Sequence, residues 1–426
     1  MIVNLERPGL DYWHSINQIM VIFGAGLSSG IYGPSLIDLA EVYSSTPDGI
    51  AVMNSARAVG MFLGSCVGGI FFARMNDQIL MIITLLIYAA GTTLIPLLPN
   101  ITSLYITGFI SGTSIGVSHI GSQVRLVKIW PKQSASAIQA FHTAYGVGAM
   151  FGPFMGAPFL SERDGDLILR ATQLHIPYAA IGVLCVVVVA SMIGAYILDP
   201  AGIVETKEAK KIEHSASDKR LEIILMTMLF IYLAVCCSGE CTFSTLISVY
   251  AFGSPALHFS KPEAAYLAGV FWATFTGGRI VSIVIAVFFD VKQLLIISHS
   301  LVILASAILI IFNSSTMCAW VGVALMGLGA SSLYGAASGL VFQYINVRHL
   351  HVSVILAAAC LGIAFPSYFV PSIVEVWPMF LQYFTGLGNI IHIIILLAIF
   401  WALRGKQVMF SEEAGNQEPK KDSSVA

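Results

Sequence analysis

Hydrophobic residues along this chain fall into long runs, not into the short alternating patterns of a water-soluble domain. Twelve apolar segments can be counted, at about 15–37, 50–72, 78–98, 102–129, 134–160, 176–198, 222–251, 263–289, 292–312, 316–345, 351–375 and 379–403. A helix needs roughly 20 apolar residues to cross about 30 Å of hydrocarbon. Each segment therefore predicts one membrane-spanning helix. The polar stretches between them are short, with one exception. "DPAGIVETKEAKKIEHSASDKR" separates the sixth segment from the seventh, and residues 205–222 hold 10 of the 44 charged residues. The pattern predicts an all-α integral membrane protein with twelve transmembrane helices in two six-helix halves. These are residues 1–198 and 222–403, joined by a charged linker at 199–221 and followed by a tail at 404–426 that is expected to be disordered.

Composition sharpens this picture. Only 10% of the 426 residues are charged and 57% are hydrophobic, against about 25% charge in soluble domains. Mean hydropathy is +0.84. The bilayer is the expected partner of this apolar surface. A net charge of −2 and the lack of any basic, aromatic-interleaved stretch exclude nucleic acid. The opening "MIVNLERPGLDYWHS" has no signal-peptide plan, so the first span is expected to be retained. Lys and Arg set the orientation, because they concentrate in cytoplasmic loops. With both termini cytoplasmic, 16 of the 21 fall on the inner side, three (Arg163, Arg170, Lys261) outside, and two (Arg57, Arg279) within spans. The plasma membrane is the expected host. The seven cysteines lie in apolar segments without metal-ligand spacing and read as small apolar fillers. The sequons at Asn100 and Asn313 fall in loops too short for attachment and read as chance matches.

Chemistry of the enzymatic kind finds no foothold. There is no Gly-rich phosphate loop, no zinc-spaced histidine cluster and no stretch long enough to form a soluble catalytic domain. "GTSIG" in the fourth span lacks the strand-turn-helix setting of a hydrolase serine. No prosthetic group is expected; a sodium ion or a proton is the candidate coupling ion.

Polar residues inside the spans carry the functional signal. An ionisable group at a span centre costs at least about 2.5–3.5 kcal/mol on insertion scales, so each needs a partner or a role. Residues three, four or seven apart share a helix face. Asn54 and Arg57 do so in span 2, His119 and Gln123 in span 4, and Gln139 and His142 in span 5. Glu240 and Ser244 pair in this way in span 7, and Trp272 and Arg279 in span 8. Five spans that each aim such a pair in one direction predict a wet central cavity. For Glu240 two readings stay open: an ion pair with Arg279, or a titratable coupling carboxylate. Arg57 and Arg279 read as structural charges, and His299 and His392 as lone packed histidines. Gln343 and Asn346 lie near the inner end of span 10, where gating and packing cannot be separated.

Six spans, a charged linker and six more spans resemble the major facilitator superfamily, whose substrate site lies near the midplane between two rocking halves. "GGIFFARMND" after span 2 is similar to that superfamily's loop motif, with Gly69 and Arg74 in place and Ala73 where its acid stands. In span 5, Gly148, Gly152 and Gly156 with Pro153 suit either close helix packing or the glycine-proline motif of some antiporters. The stretch 112–162, with "IWPKQSASAIQAFHTAYG" and a closing "PFLSE", resembles the sodium-dependent glucose transporter branch, which includes the domain-containing 4 proteins. "EAAYLAGVFWATFTGGR" at 263–279 resembles that branch as well, and Glu240 falls where its members carry an acid. "YGPSLIDL" and "GSCVGGIFF" are similar to its first two spans.

The resemblance implies an alternating-access sugar permease for a glucose-like hexose, with cation-coupled symport as one mode of working. Asn54, Gln123, Gln139, His142 and Trp272 are the candidate sugar contacts, and Glu240 and His119 the candidate coupling groups. His119 and Gln123 stand where the branch carries Asp and Asn. Histidine accepts protons and is a poor ligand for sodium, so this departure points to a proton and leaves sodium open. Two alternatives remain: a proton-coupled exporter of small amphipathic compounds, and a transport-inactive scaffold or sensor.

Overall fold

The computed structural model describes residues 7–72, 74–130, 133–164, 167–200, 216–285, 288–345 and 349–406. Among them, thirteen α-helices supply the twelve expected spans. The first six are α1 (Arg7–Val42), α2 (Pro47–Phe72), α3 (Asp77–Leu94), α4 (Ile101–Ile129), α5 (Ser134–Gly156) and α6 (His175–Leu198). Next come α7 (Ala216–Gly253), α8 (Lys261–Ile285), α9 (Val291–Ile311), α10 (Thr316–Ala330) and α11 (Leu333–Phe342). The last two are α12 (His349–Val376) and α13 (Phe380–Ala402). A short antiparallel hairpin, β1 (Glu162–Asp164) with β2 (Leu167–Arg170), follows α5. It marks one end of the bundle, the hairpin end; the chain on either side of the linker marks the other, the linker end.

Two helices start well before their expected bounds, and one span is broken. Helix α1 starts at Arg7, well before residue 15, because side chains tie its polar first turns to neighbouring helices. Trp13 Nε1 donates to Ser191 Oγ on α6 at 2.8 Å, and Trp130 Nε1, after α4, donates to Ser15 Oγ at 2.8 Å. Helix α7 starts at Ala216, inside the expected linker, whose residues 201–215 lie outside the described residues, as do Asn346 and residues 407–426 of the tail.

Span 10 is broken into α10 and α11 at Ser331–Ser332. Serine hydroxyls compete with the helical backbone for hydrogen bonds. Ser331 Oγ donates to the Leu328 carbonyl at 2.6 Å, and Ser332 Oγ sits 2.8 Å from Ser298 Oγ on α9. Across the break, Arg279 Nε on α8 donates to the Ser331 carbonyl at 3.3 Å.

Helix packing repeats from one half to the other. In the first half α1 packs on α5, α2 on α4, and α3 on α4 and α6. In the second, α7 packs on α12, α8 on α10, and α9 on α10 and α13. These are the same pairs with every span advanced by six, as expected of two repeats of one unit. The α1–α5 seam explains the span 5 glycines. A Cβ at Gly148 would collide with the Phe23 carbonyl of α1, and one at Gly152 would lie 2.6 Å from the Leu27 carbonyl. Close packing therefore accounts for these glycines.

Between the halves, α1 packs on α7 and α8, α2 on α12, and α5 on α8. At the hairpin end this seam is tied by charge. Lys261 Nζ, at the start of α8, lies 2.7 Å from Asp38 Oδ1 and 2.8 Å from Glu41 Oε1 on α1. The same ammonium donates to Ser161 Oγ at 2.6 Å, and the Ser161 N–H donates to Asp38 Oδ2 at 2.6 Å. Nearby, Ser372 Oγ on α12 donates to Asp48 Oδ2 on α2 at 2.8 Å. At the linker end of the first half, Arg125 Nη1 pairs with Asp77 Oδ2 at 2.6 Å, and its Nη2 lies 3.2 Å from His14 Nδ1. Asp77, four positions after the missing acid at residue 73, supplies a carboxylate to this loop; Ala73 itself lies outside the described residues.

Candidate functional site

Among the described residues, the hydrogen bonds and ring contacts between the halves lie at the level of Tyr145 and Gly146 or on its hairpin side. The Cβ position of Gly146 meets the Thr276 side chain. Phe154 stacks on Tyr266 at 5.8 Å, and Tyr145 meets Trp272 edge-on at 6.1 Å. Beyond that level, toward the linker end, come Gln139, His142, His119 and Gln123 on the first half and Glu240 and Arg279 on the second. Nine spans among the described residues are long and apolar enough to cross a membrane by composition alone; α4, α5 and α8 are not among them. Those three carry His119 and Gln123, Gln139 and His142, and Arg279. Their polar residues lower the mean hydropathy of these helices.

The candidate residues divide by how their polar groups are used. His119 and Gln123 engage each other, with Gln123 Nε2 at 3.3 Å from His119 Nδ1. The His119 ring lies 5.9 Å from that of His142 and 5.3 Å from that of Phe141. Gln139, His142 and Glu240 are all partly accessible, and among the described residues none of the three makes a hydrogen bond or ion pair. Arg57 donates from Nη2 to Ser29 Oγ on α1 at 2.5 Å. Asn54 is buried and donates from Nδ2 to Ser367 Oγ on α12 at 3.1 Å, so it serves the seam between halves.

One expectation changes, and one of two open alternatives is not formed. Trp272 was expected to offer a ring face to substrate, but it is only 3% exposed, enclosed by Phe271, Phe275 and Tyr145. The ring is core in this conformation because α5 presses Tyr145 against it. The direct ion pair between Glu240 and Arg279 is also not formed. Arg279 instead caps the Ser331 carbonyl, with its guanidinium 4.5 Å above the Phe275 ring. Glu240 stays within electrostatic range of it.

A cavity of about 40 Å³ lies inside the second half, between α7, α8, α9, α10, α11 and α13. Glu240, Asn389 and His392 form its polar wall. The sequence reading missed this group, treating His392 as a lone packed residue. A signal was present: Asn389 and His392 are three apart on one helix face, as Gln139 and His142 are.

The chain can now be set beside known proteins. It is 24% identical over 411 residues to "Sodium-dependent glucose transporter 1A" of Mus musculus, covering 89% of this chain and 94% of that one. It is 22% identical over 427 residues to "Major facilitator superfamily domain-containing protein 4A" of Danio rerio, covering 83% and 80%. Among solved structures, a bacterial homologue of the lysosomal transporter Spinster, in an inward-facing and unoccupied conformation, superposes with a TM-score of 0.65 at 14% identity, over 93% of this chain and 96% of that one. The nucleoside transporter NupG gives 0.64 at 11% identity, over 93% and 100%. At these identities the structures speak for the fold. The profile of the Major Facilitator Superfamily matches residues 19–367. With twelve spans in two repeated halves, this chain is a member of the Major Facilitator Superfamily of membrane transporters.

Proposed function

We propose that the protein is an alternating-access permease for a glucose-like hexose, coupled to a cation through Glu240 and His119. The observation that carries this reading is the set of unengaged polar groups on Gln139, His142 and Glu240 beside the seam. A sugar presents hydroxyls that both donate and accept. An amide, an imidazole and a carboxylate with no partner of their own match that demand, with Gln123 one helix away. The names of the 22–25% identical relatives support the same substrate class. Arg57 and Arg279 hold helices in this reading, and Asn54 and Trp272 close the seam above the sugar. The hairpin end faces outward, both termini lie in the cytoplasm, and the plasma membrane is the host. In this reading the substrate path opens inward in this conformation, on the side away from the Lys261 lock.

The test is uptake into proteoliposomes across a panel of radiolabelled hexoses and small amphipathic compounds, with sodium and pH gradients imposed separately. Saturable uptake of a hexose, inhibited by other hexoses, is expected. Movement of the amphipathic compounds alone would replace the sugar reading with an exporter. Movement of neither would leave a scaffold.

A further inference from the structure

The cavity inside the second half holds an arrangement that a packed core does not need. His392 Nε2 lies 3.1 Å from the Tyr232 carbonyl, which can only accept, so Nε2 carries the hydrogen. In the neutral ring the lone pair is then on Nδ1, and among the described residues nothing donates to it. His299, its neighbour at 5.7 Å, is fully committed. Its Nδ1 lies 2.6 Å from Asn389 Oδ1, and its Nε2 lies 3.0 Å from the Tyr232 hydroxyl. The Asn389 amide in turn points Nδ2 at the His299 carbonyl, at 3.4 Å, which fixes Oδ1 as the acceptor. Tyr232, His299 and Asn389 thus form a closed frame, and His392 is held beside it with one nitrogen free.

Glu240 shares the cavity with His392. The cavity they share, about 40 Å³ in all, is large enough to hold water. The remaining wall is mostly apolar, with Val235, Phe243, Phe271 and Leu333 among its members. Thr385 donates its hydroxyl to the Leu381 carbonyl at 3.0 Å. A single carboxylate and one imidazole lone pair do not make an oxygen cage for a metal cation. They do make a donor and an acceptor for a proton.

We propose that this cavity is a proton chamber of the second half, in which Glu240 and His392 exchange a proton through enclosed water. Its use in coupling rests on the permease reading above; the exchange itself does not. Protonated Glu240 gives its O–H proton to a cavity water as that water passes one of its own to His392 Nδ1. Glu240 is left as a carboxylate and His392 as an imidazolium, the water is restored, and the net charge of the pair is unchanged. The titratable groups around the pair are Tyr232, Cys236, Cys237 and Cys241 on α7, His299 on α9, Tyr334 on α11, Arg279 on α8 and Tyr145 on α5. Of these, Arg279 bears a fixed charge, and it is already turned to the Ser331 carbonyl. When Glu240 ionises, Arg279 gains a second claim on it, which links proton position to the break between α10 and α11.

The experiment is pH-dependent infrared difference spectroscopy on the full chain in liposomes, with isotope-labelled histidine and no sugar present. Acidification of the unaltered protein should produce a protonated-carboxyl band that Glu240→Gln removes. The same change should move the histidine signal assigned to His392 to lower pH by about one unit, the size expected of a lost neighbouring carboxylate. Conversely, His392→Gln should move the Glu240 band to higher pH. If His392→Gln does not fold, the Glu240→Gln arm still reads the coupling from the histidine side. Two signals that titrate independently would overturn the proposal. So would a carboxyl band displaced at constant pH when sodium chloride replaces choline chloride. Coupled titration in a protein that moves no hexose would leave the exchange standing and overturn its role in sugar transport.

Discussion

Glu240 was conspicuous in the sequence because "CCSGECTFSTLISVY" leaves one carboxylate in an apolar run. Its surroundings were not legible there. Choosing between the two open readings, an ion pair with Arg279 or a titratable carboxylate, required knowing that span 10 breaks at Ser331 and offers Arg279 a backbone carbonyl. Since no hydrogen bond or ion pair among the described residues reaches Glu240, Glu240→Gln should leave the thermal midpoint of the detergent-solubilised protein almost unchanged, within the about 0.5 kcal/mol typical of a change that breaks no specific contact. It should abolish accumulation driven by an ion gradient and keep equilibrium exchange. Arg279→Gln should behave otherwise. It removes a charged hydrogen bond and a contact with the Phe275 ring, and should cost about 1.5–3 kcal/mol, seen as a lower midpoint. Equal loss of stability in both variants would restore the ion-pair reading. The histidine frame was hidden for a different reason: His299 and Asn389 lie 90 positions apart, and nothing in local spacing joins them.

At the scale of the helix, the succession of apolar segments matched all twelve spans, although α4, α5 and α8 are not apolar enough to stand out by composition alone; the need to satisfy every backbone hydrogen bond inside lipid leaves few other solutions. Hydropathy could not see the break within span 10. "GASSLYGAAS" carries no charge and no proline to mark a stop, and the interruption comes from serine hydroxyls turning to Leu328 and Ser298. The glycines of span 5 were visible, but their purpose depends on which helix approaches them. Here a contrast is available. Gly148→Val should drive a side chain into the α1 backbone and cost about 1–3 kcal/mol or more, read as a lowered thermal midpoint and loss of the monodisperse elution peak. Gly277→Ala, in α8, meets nothing within 4 Å and should be neutral or slightly stabilising by the same assay. A tolerant Gly148 would mean that α1 and α5 are not held at this distance.

For the whole molecule, the charged linker made two halves legible, whereas which end is shut was not. That depends on Lys261 meeting Asp38 and Glu41, 220 and more positions away. Asp38 is fully buried and the Lys261 side chain only 9% exposed. Removing one member of such a buried pair costs about 3–5 kcal/mol, because charge is left behind without compensation. Lys261→Gln should therefore disfavour the closed hairpin end. Spin labels at Thr46 and Ala256, both exposed there, should report a longer distance in the variant, and an unchanged distribution would show that the apolar stacking of Phe154 on Tyr266 is sufficient alone.

The same lock also sets a timing. While shut, the Lys261–Asp38 pair at its centre is buried, and screening acts weakly on buried pairs. Once the halves part, Asp38 and Glu41 face Lys261 across water, where salt shortens the range of their attraction to about 8 Å at physiological strength. External salt should then leave the rate of opening unchanged and slow the return. In single-molecule recordings, raising ionic strength on the hairpin side would lengthen the open dwells while the closed dwells stay the same.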